Sequence, residues 1–259
     1  MTYCVATRLH EGIVFLSDSR TNAGMDQIST FRKMTVFERA GERVIVLMSA
    51  GNLAITQSVR EILTESSEAE SLWSANTMSE AAAIVGAAVR KVHDRDHKSL
   101  SDFGIDFNCS FLLGGQIQGE SCRLFHVYSA GNFIEAGSDC PYFQIGESKY
   151  GKPILDRVIK PNTDLDEAAK CLLISMDSTL KSNISVGMPL DLLIYRTDDL
   201  KVARFVSITD EDPYFAHIRS RWGQLLREAF HELPQPDWGT MPTEGSRPVF
   251  ERQIRTPDQ

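Results

Sequence analysis

The stretch Tyr3-Cys4-Val5-Ala6-Thr7-Arg8-Leu9-His10-Glu11-Gly12-Ile13-Val14-Phe15-Leu16-Ser17 sets the reading of the fold. It contains two short apolar runs, Tyr3 to Leu9 and Gly12 to Ser17, joined at His10-Glu11-Gly12. Glycine supplies the turn conformation, so the pair reads as a β-hairpin. Moving outward, Asp18-Ser19-Arg20 closes the second run, and Lys33 opens another strand-like segment. Met34 to Glu38 and Arg43 to Ala50 then form a second strand pair across Ala40-Gly41-Glu42.

Helices follow. Gly51 ends the strand before Asn52 to Glu68, where Leu53, Ile55, Val59, Ile62 and Leu63 supply the apolar positions. Ser79 to Lys98 carries Ile84, Val85, Ala88, Val89 and Val92 on a stripe, with Thr77 or Ser79 as N-cap. The second half repeats the order. Asp106 to Leu113, Ser121 to Tyr128, Phe133 to Ala136 and Tyr142 to Ile145 read as strands with glycine-rich joints. Helices are expected around Lys152 to Val158 and over Leu165 to Leu180, the latter opened by Thr163 or Asp164. Pro189 to Tyr195 and Val202 to Ile208 make a last strand pair, and Tyr214 to Leu233 is an amphipathic helix with Ile218, Trp222, Leu225, Leu226 and Phe230. Strand runs alternating with helix pairs, without regular βαβ spacing, predict an α+β fold: a four-layer αββα sandwich of two antiparallel sheets. The expected organisation is one domain over residues 1–233 and an irregular tail rich in Pro, Gly and Thr over 234–259.

Composition narrows the function classes. The apolar share of 42% over 259 residues suffices for a sizeable core. A net charge of -8 argues against phosphate-backbone contacts, so no nucleic-acid partner is expected. No apolar run approaches the roughly 18 residues of a membrane span, and no basic-then-apolar leader opens the chain. A cytoplasmic protein without membrane partner is the expectation. Five scattered cysteines (Cys4, Cys109, Cys122, Cys140, Cys171) without a CxxC pair read as mostly buried thiols in a reducing compartment.

The chemistry starts at Thr2. A threonine hydroxyl needs a base to become nucleophilic, and a free α-amine with a pKa of about 7.7 to 8 is half-neutral near physiological pH. After loss of Met1, Thr2 carries both groups. Lys33 would place a positive charge beside them, disfavouring the protonated amine and favouring the ionised hydroxyl, with Asp18 orienting that lysine. The competing reading is a solvated ion pair on neighbouring strands. Alternation of side chains lets only one of Arg32 and Lys33 face Thr2, and Lys33 is the choice.

Thr2, the hairpin ending in Ser17-Asp18-Ser19-Arg20, Lys33 and Ser49-Ala50-Gly51 together resemble the N-terminal threonine hydrolases of the proteasome β-subunit and the bacterial HslV peptidase. The run Ser17-Asp18-Ser19-Arg20-Thr21-Asn22-Ala23-Gly24 followed by Thr30-Phe31-Arg32-Lys33 is similar to Anbu, a bacterial proteasome-related family. The resemblance spans residues 2–208 and includes Ser182-Asn183-Ile184-Ser185-Val186-Gly187. It implies the N-terminal nucleophile hydrolase fold, with Thr2 as nucleophile and base, Asp18 and Lys33 as charged supports, and Arg20 as structural support. It also implies Gly51 N–H as oxyanion donor and Ser49 beside the substrate pocket. A proton relay is implied at Ser148 and Asp177, completed by Ser182 or Ser185, with Ser185 preferred; here the family's Gly-Ser-Gly is absent and the spacing after Asp177 is longer.

The implied activity is threonine peptidase action on peptide or unfolded-protein substrates, without cofactor, by a homo-oligomer arranged as a ring or open helix. No nucleotide-binding fingerprint is present, so any ATPase partner is a separate chain. The alternatives are a small-molecule amidase of the same superfamily and a catalytically weak assembly or binding protein. His93 and His97, at helical i, i+4 spacing, read as a solvated helix end rather than a metal site. Phe215, Trp222 and Phe230 read as core or subunit-contact residues.

Overall fold

The computed structural model describes residues 2–22, 28–65 and 71–236. Met1, Ala23-Gly24 of the motif, Ser66 to Glu68 and most of the expected tail lie outside the described residues.

The opening hairpin forms as expected, with β1 (Tyr3–Leu9) antiparallel to β2 (Gly12–Asp18) and Leu9 facing Gly12. A small ribbon follows, β3 (Arg20–Asn22) with β4 (Ile28–Thr30). Next come β5 (Met34–Arg39), β6 (Arg43–Gly51), α1 (Leu53–Glu65) and α2 (Met78–Asp102). The second half contains β7 (Cys109–Ile117), β8 (Arg123–Val127), β9 (Phe133–Glu135), β10 (Tyr142–Gly146), α3 (Lys152–Val158) and α4 (Leu165–Ser182). It ends with β11 (Leu190–Arg196), β12 (Arg204–Ile208) and α5 (Pro213–Glu232).

Two five-stranded sheets result, ordered β10-β1-β2-β11-β12 and β5-β6-β7-β8-β9, every pair antiparallel. Period-two side chains divide their apolar residues between three cores. Tyr3, Val5, Val14 and Leu16 join Leu172, Leu173 and Met176 of α4. Cys4, Ala6, Ile13 and Phe15 meet Val44, Val46 and Met48 of the other sheet in the middle layer. Ile45 and Leu47 turn to Val59 and Leu63 of α1 and Val85 and Val89 of α2. This is the expected αββα sandwich.

Several boundaries differ from the sequence reading. β7 starts at Cys109 and continues through Gly114-Gly115, which the pattern takes as a joint. A Cβ on Gly114 would lie 2.9 Å from the Phe15 ring, so glycine here admits the facing sheet rather than ending the strand. α2 runs on to Asp102, so His93 and His97 sit inside it, their rings stacked 4.5 Å apart. The β3–β4 ribbon was not anticipated. Cys140 is exposed, while the other four thiols are buried and all five are free.

The chain divides into two compact units, residues 1–220 and 221–259. In the second, Arg221 pairs with Glu228 at 3.2 Å, and Leu225, Leu226, Phe230 and Leu233 are exposed. No helix among the described residues is long and apolar enough to cross a membrane.

Candidate active site

A cleft of about 780 Å3 opens where the two sheets meet the N-terminal end of α1. Thr2, at the head of β1, lines it together with Lys33, Ser49, Gly51 and Gly146. The Thr2 carbonyl accepts the Glu147 N–H at 2.7 Å, which ties the chain start to the end of β10.

Behind Thr2 the β2 terminus delivers Asp18. Its Oδ1 accepts from Tyr3 N at 3.0 Å and from Lys33 Nζ at 2.5 Å, and its Oδ2 accepts from Gly187 N at 3.3 Å. Burial raises the Asp18 carboxyl above its ordinary pKa, against the pull of the Lys33 charge and of these hydrogen bonds. Lys33 donates a second bond to the Arg20 carbonyl at 2.7 Å, and the Arg20 guanidinium donates to Ile184 O at 3.0 Å. Asp18 is fully buried and the Lys33 side chain only 8% exposed, so this is an interior ion pair rather than a solvated one. Lys33 lies one residue before β5, where the alternation rule does not govern it. Arg32 has a carboxylate of its own, the buried Asp191 on β11.

The opposite wall is the β6–α1 junction. Ser49 N donates to Lys33 O at 3.1 Å, towards β5, and Asn52 N donates to Asn108 O at 2.9 Å, beside β7. Alternation therefore directs the Gly51 N–H to the β5 side. β5 begins only at Met34, opposite Met48, so that N–H emerges beyond the ladder on the cleft side. Gly51 has φ +115°, and a Cβ there would meet Asn108 O at 2.4 Å, so only glycine fits without backbone movement.

The second-half residues are placed differently. Ser148 lies in the turn before α3, its carbonyl accepting from Lys152 N at 3.2 Å. Asp177, on the buried face of α4, pairs with Arg219 at 3.1 Å and Lys181 at 3.2 Å. Ser182 is the exposed last residue of α4, and Ser185 N bonds Asn183 Oδ1 at 2.9 Å. None of these four lines the cleft. The structure instead brings Asn183 Nδ2 to the buried carboxylate of Glu147, at 3.1 Å, the same residue whose N–H bonds the Thr2 carbonyl. Sequence reasoning also missed Ser110, which lines the cleft on β7, and its partner His126 on β8, joined to it by a 2.6 Å hydrogen bond; burial lowers the imidazole pKa. The available signal was a polar residue set in the apolar run of each strand, Ser110 standing diagonally across from His126, which faces Leu112. Arg60 was missed as well; it shares a helical stripe with Leu53, Thr56 and Gln57, and all four line the cleft.

Comparisons with known proteins identify the family and the fold. The family model described as proteasome subunit matches residues 2–194. Among solved structures, Anbu (ancestral beta-subunit) from Yersinia bercovieri is 54% identical, with TM-score 0.85, covering 91% of this chain and all of the other. The Anbu (Gly-1) mutant from Hyphomicrobium sp. strain MC1 is 49% identical, with TM-score 0.86, covering 92% of this chain and all of the other. The helical assembly of the Anbu complex from Pseudomonas aeruginosa is 47% identical, with TM-score 0.88, over 92% and 99% of the two chains. No curated protein sequence matches. On the family model, on these identities and on a shared proteasome-type N-terminal nucleophile hydrolase scaffold, the chain belongs to the proteasome subunit family, in its Anbu group.

Proposed function

We propose that the chain is a threonine peptidase of the N-terminal nucleophile type, acting in the cytoplasm on peptide bonds once Met1 has been removed. The observation that carries the reading is the interior Asp18–Lys33 pair, held at 2.5 Å in the wall of the cleft that Thr2 and Gly51 share. Thr2 Oγ bonds to the scissile carbonyl carbon as its proton passes to the Thr2 α-amine. The Gly51 N–H receives the developing oxyanion. The C–N bond then breaks, the amine delivering its proton to the leaving nitrogen, and water cleaves the acyl ester to restore Thr2. Lys33 lowers the cost of ionising the hydroxyl, Asp18 and Arg20 hold Lys33, and Ser49 borders the substrate pocket. Of Ser148, Asp177 and Ser185, Ser185 is kept as the relay residue, linked towards Thr2 through Asn183 and Glu147. The working form is a homo-oligomer, by extension from the helical assembly of the Pseudomonas aeruginosa relative; an ATPase, where one takes part, is a separate chain. The domain is inferred to run to residue 233.

The test is covalent. Intact mass of the native protein should show loss of Met1, and a threonine-directed peptide epoxyketone should label Thr2. Thr2→Ala should keep the assembly and lose both labelling and hydrolysis. Labelling that persists in that variant, or a native chain that keeps Met1, sinks the reading. The placement of Asp177 on Arg219 and Lys181, away from the cleft, favours one second reading: a catalytically weak member that binds rather than cleaves. Intact Met1 loss with ligand binding and no turnover would support it.

A further inference from the structure

Three cations line the cleft, Arg32, Lys33 and Arg60, and among the described residues no Asp or Glu lines it. Two of the three are spoken for. Lys33 is held by the buried Asp18 and Arg32 by the buried Asp191. Arg60 differs: among the described residues its hydrogen bond is a long one, from Nη1 to the Arg32 carbonyl at 3.5 Å, and it forms no ion pair. That contact fixes where its charge lies. Arg32 adjoins Lys33, whose carbonyl accepts Ser49 N–H at 3.1 Å, so the guanidinium reaches the segment that leads into β5 although its Cα is two turns into α1. Beyond these three cations, the polar lining groups Thr21, Ser49, Gln57 and Asn108 are uncharged.

A guanidinium kept half-buried without a counter-charge binds a carboxylate, because its planar donors match the carboxylate fork. Resting on the reading of Thr2 as nucleophile, we propose that the cleft selects an acidic side chain, glutamyl or aspartyl, on the residue that supplies the scissile carbonyl, and that Arg60 is the group that reads it. Ser49 and Gln57 leave the path to Arg60 open and polar, where a bulky apolar wall would favour leucine and a carboxylate would favour lysine.

The experiment separates selection from catalysis. Four N-acetyl tetrapeptide amides that differ only in a C-terminal Glu, Gln, Leu or Lys are titrated by fluorescence competition into the assembled Thr2→Ala protein. The Glu peptide should bind about tenfold tighter than the Gln peptide, as one charge-assisted contact implies, with the advantage shrinking as salt rises. Arg60→Ala should erase the Glu–Gln difference, and Arg60→Glu should favour Lys. Equal binding of Glu and Gln, survival of the preference in Arg60→Ala, or no binding by any of the four overturns the proposal. The corresponding fluorogenic amides are then assayed on the unmodified sequence. Selective binding without turnover there would leave the acidic preference standing and count against Thr2 hydrolysis, whereas turnover that favours Leu would refute the acidic preference alone.

Discussion

Asp18 and Lys33 show how much of the site a single residue pair carries. Their side chains are 0% and 8% exposed, so each desolvates its charge for the other, and the pair holds only because both remain. Asp18→Asn keeps the volume but leaves an interior ammonium without its counter-charge, and should destabilise by about 3–5 kcal/mol. Asp18→Asn combined with Lys33→Met removes both charges and should recover most of that loss while remaining inactive. Urea unfolding at one fixed protein concentration checks this, and a single variant within about 1 kcal/mol of the parent would show that the pair is solvated. Both residues were legible because they stand in one short motif whose strand neighbours fix them. Asp191 carried a signal that was passed over, a lone carboxylate in the apolar run Leu190-Asp191-Leu192. The Asp177 partnership was not legible, since its partner Arg219 is on another element, 42 positions on, and no local pattern says which faces of α4 and α5 meet.

At the scale of elements, the caps were readable and the glycine-rich strand was not. Thr77 Oγ1 accepts from Glu80 N at 3.0 Å and Asp164 Oδ1 from Glu167 N at 2.7 Å, the N-cap geometry that the two short polar residues announce. Gly114-Gly115 reads locally as a break, and only the Phe15 ring from the other sheet explains its place inside β7. The β6–α1 junction combines both lessons, because Gly51 ends a strand as the sequence suggests and also aims a backbone N–H at the cleft. Gly51→Ala adds a Cβ that would lie 2.4 Å from a backbone oxygen at φ +115°. The junction must shift, at a strain of about 1–3 kcal/mol, and the N–H proposed as oxyanion donor shifts with it. The expected outcome is a folded protein with kcat/KM down roughly a hundredfold and KM little changed. Retained kcat would remove Gly51 from the mechanism.

At the scale of the whole molecule the question is whether three cores behave as one. The two sheets share the middle layer, and each also forms the floor of a helical layer, so neither helix pair has a core without its sheet. The cysteines are distributed to report on this: Cys171 lies in the α4 core, Cys109 in the α1–α2 core, and Cys4 and Cys122 in the middle layer. Burial pushes the Cys109 thiol up to about 11 and those of Cys122 and Cys171 up to about 12, so the reactive thiolate is scarce in the folded state at pH 8. The Cys4 thiol is raised by burial as well. Mass-resolved maleimide labelling of the native protein at pH 8 should therefore modify Cys140 quickly, once per chain. In increasing urea the other four should become reactive over one shared transition, because exposing any of them strips the sheets that the other cores need. Labelling of Cys109 well ahead of Cys4 and Cys122 would mean that α1 and α2 open on their own. That outcome would also place the cleft wall carrying Arg60 on a separable unit, and substrate peptides that bind there should then protect Cys109 selectively.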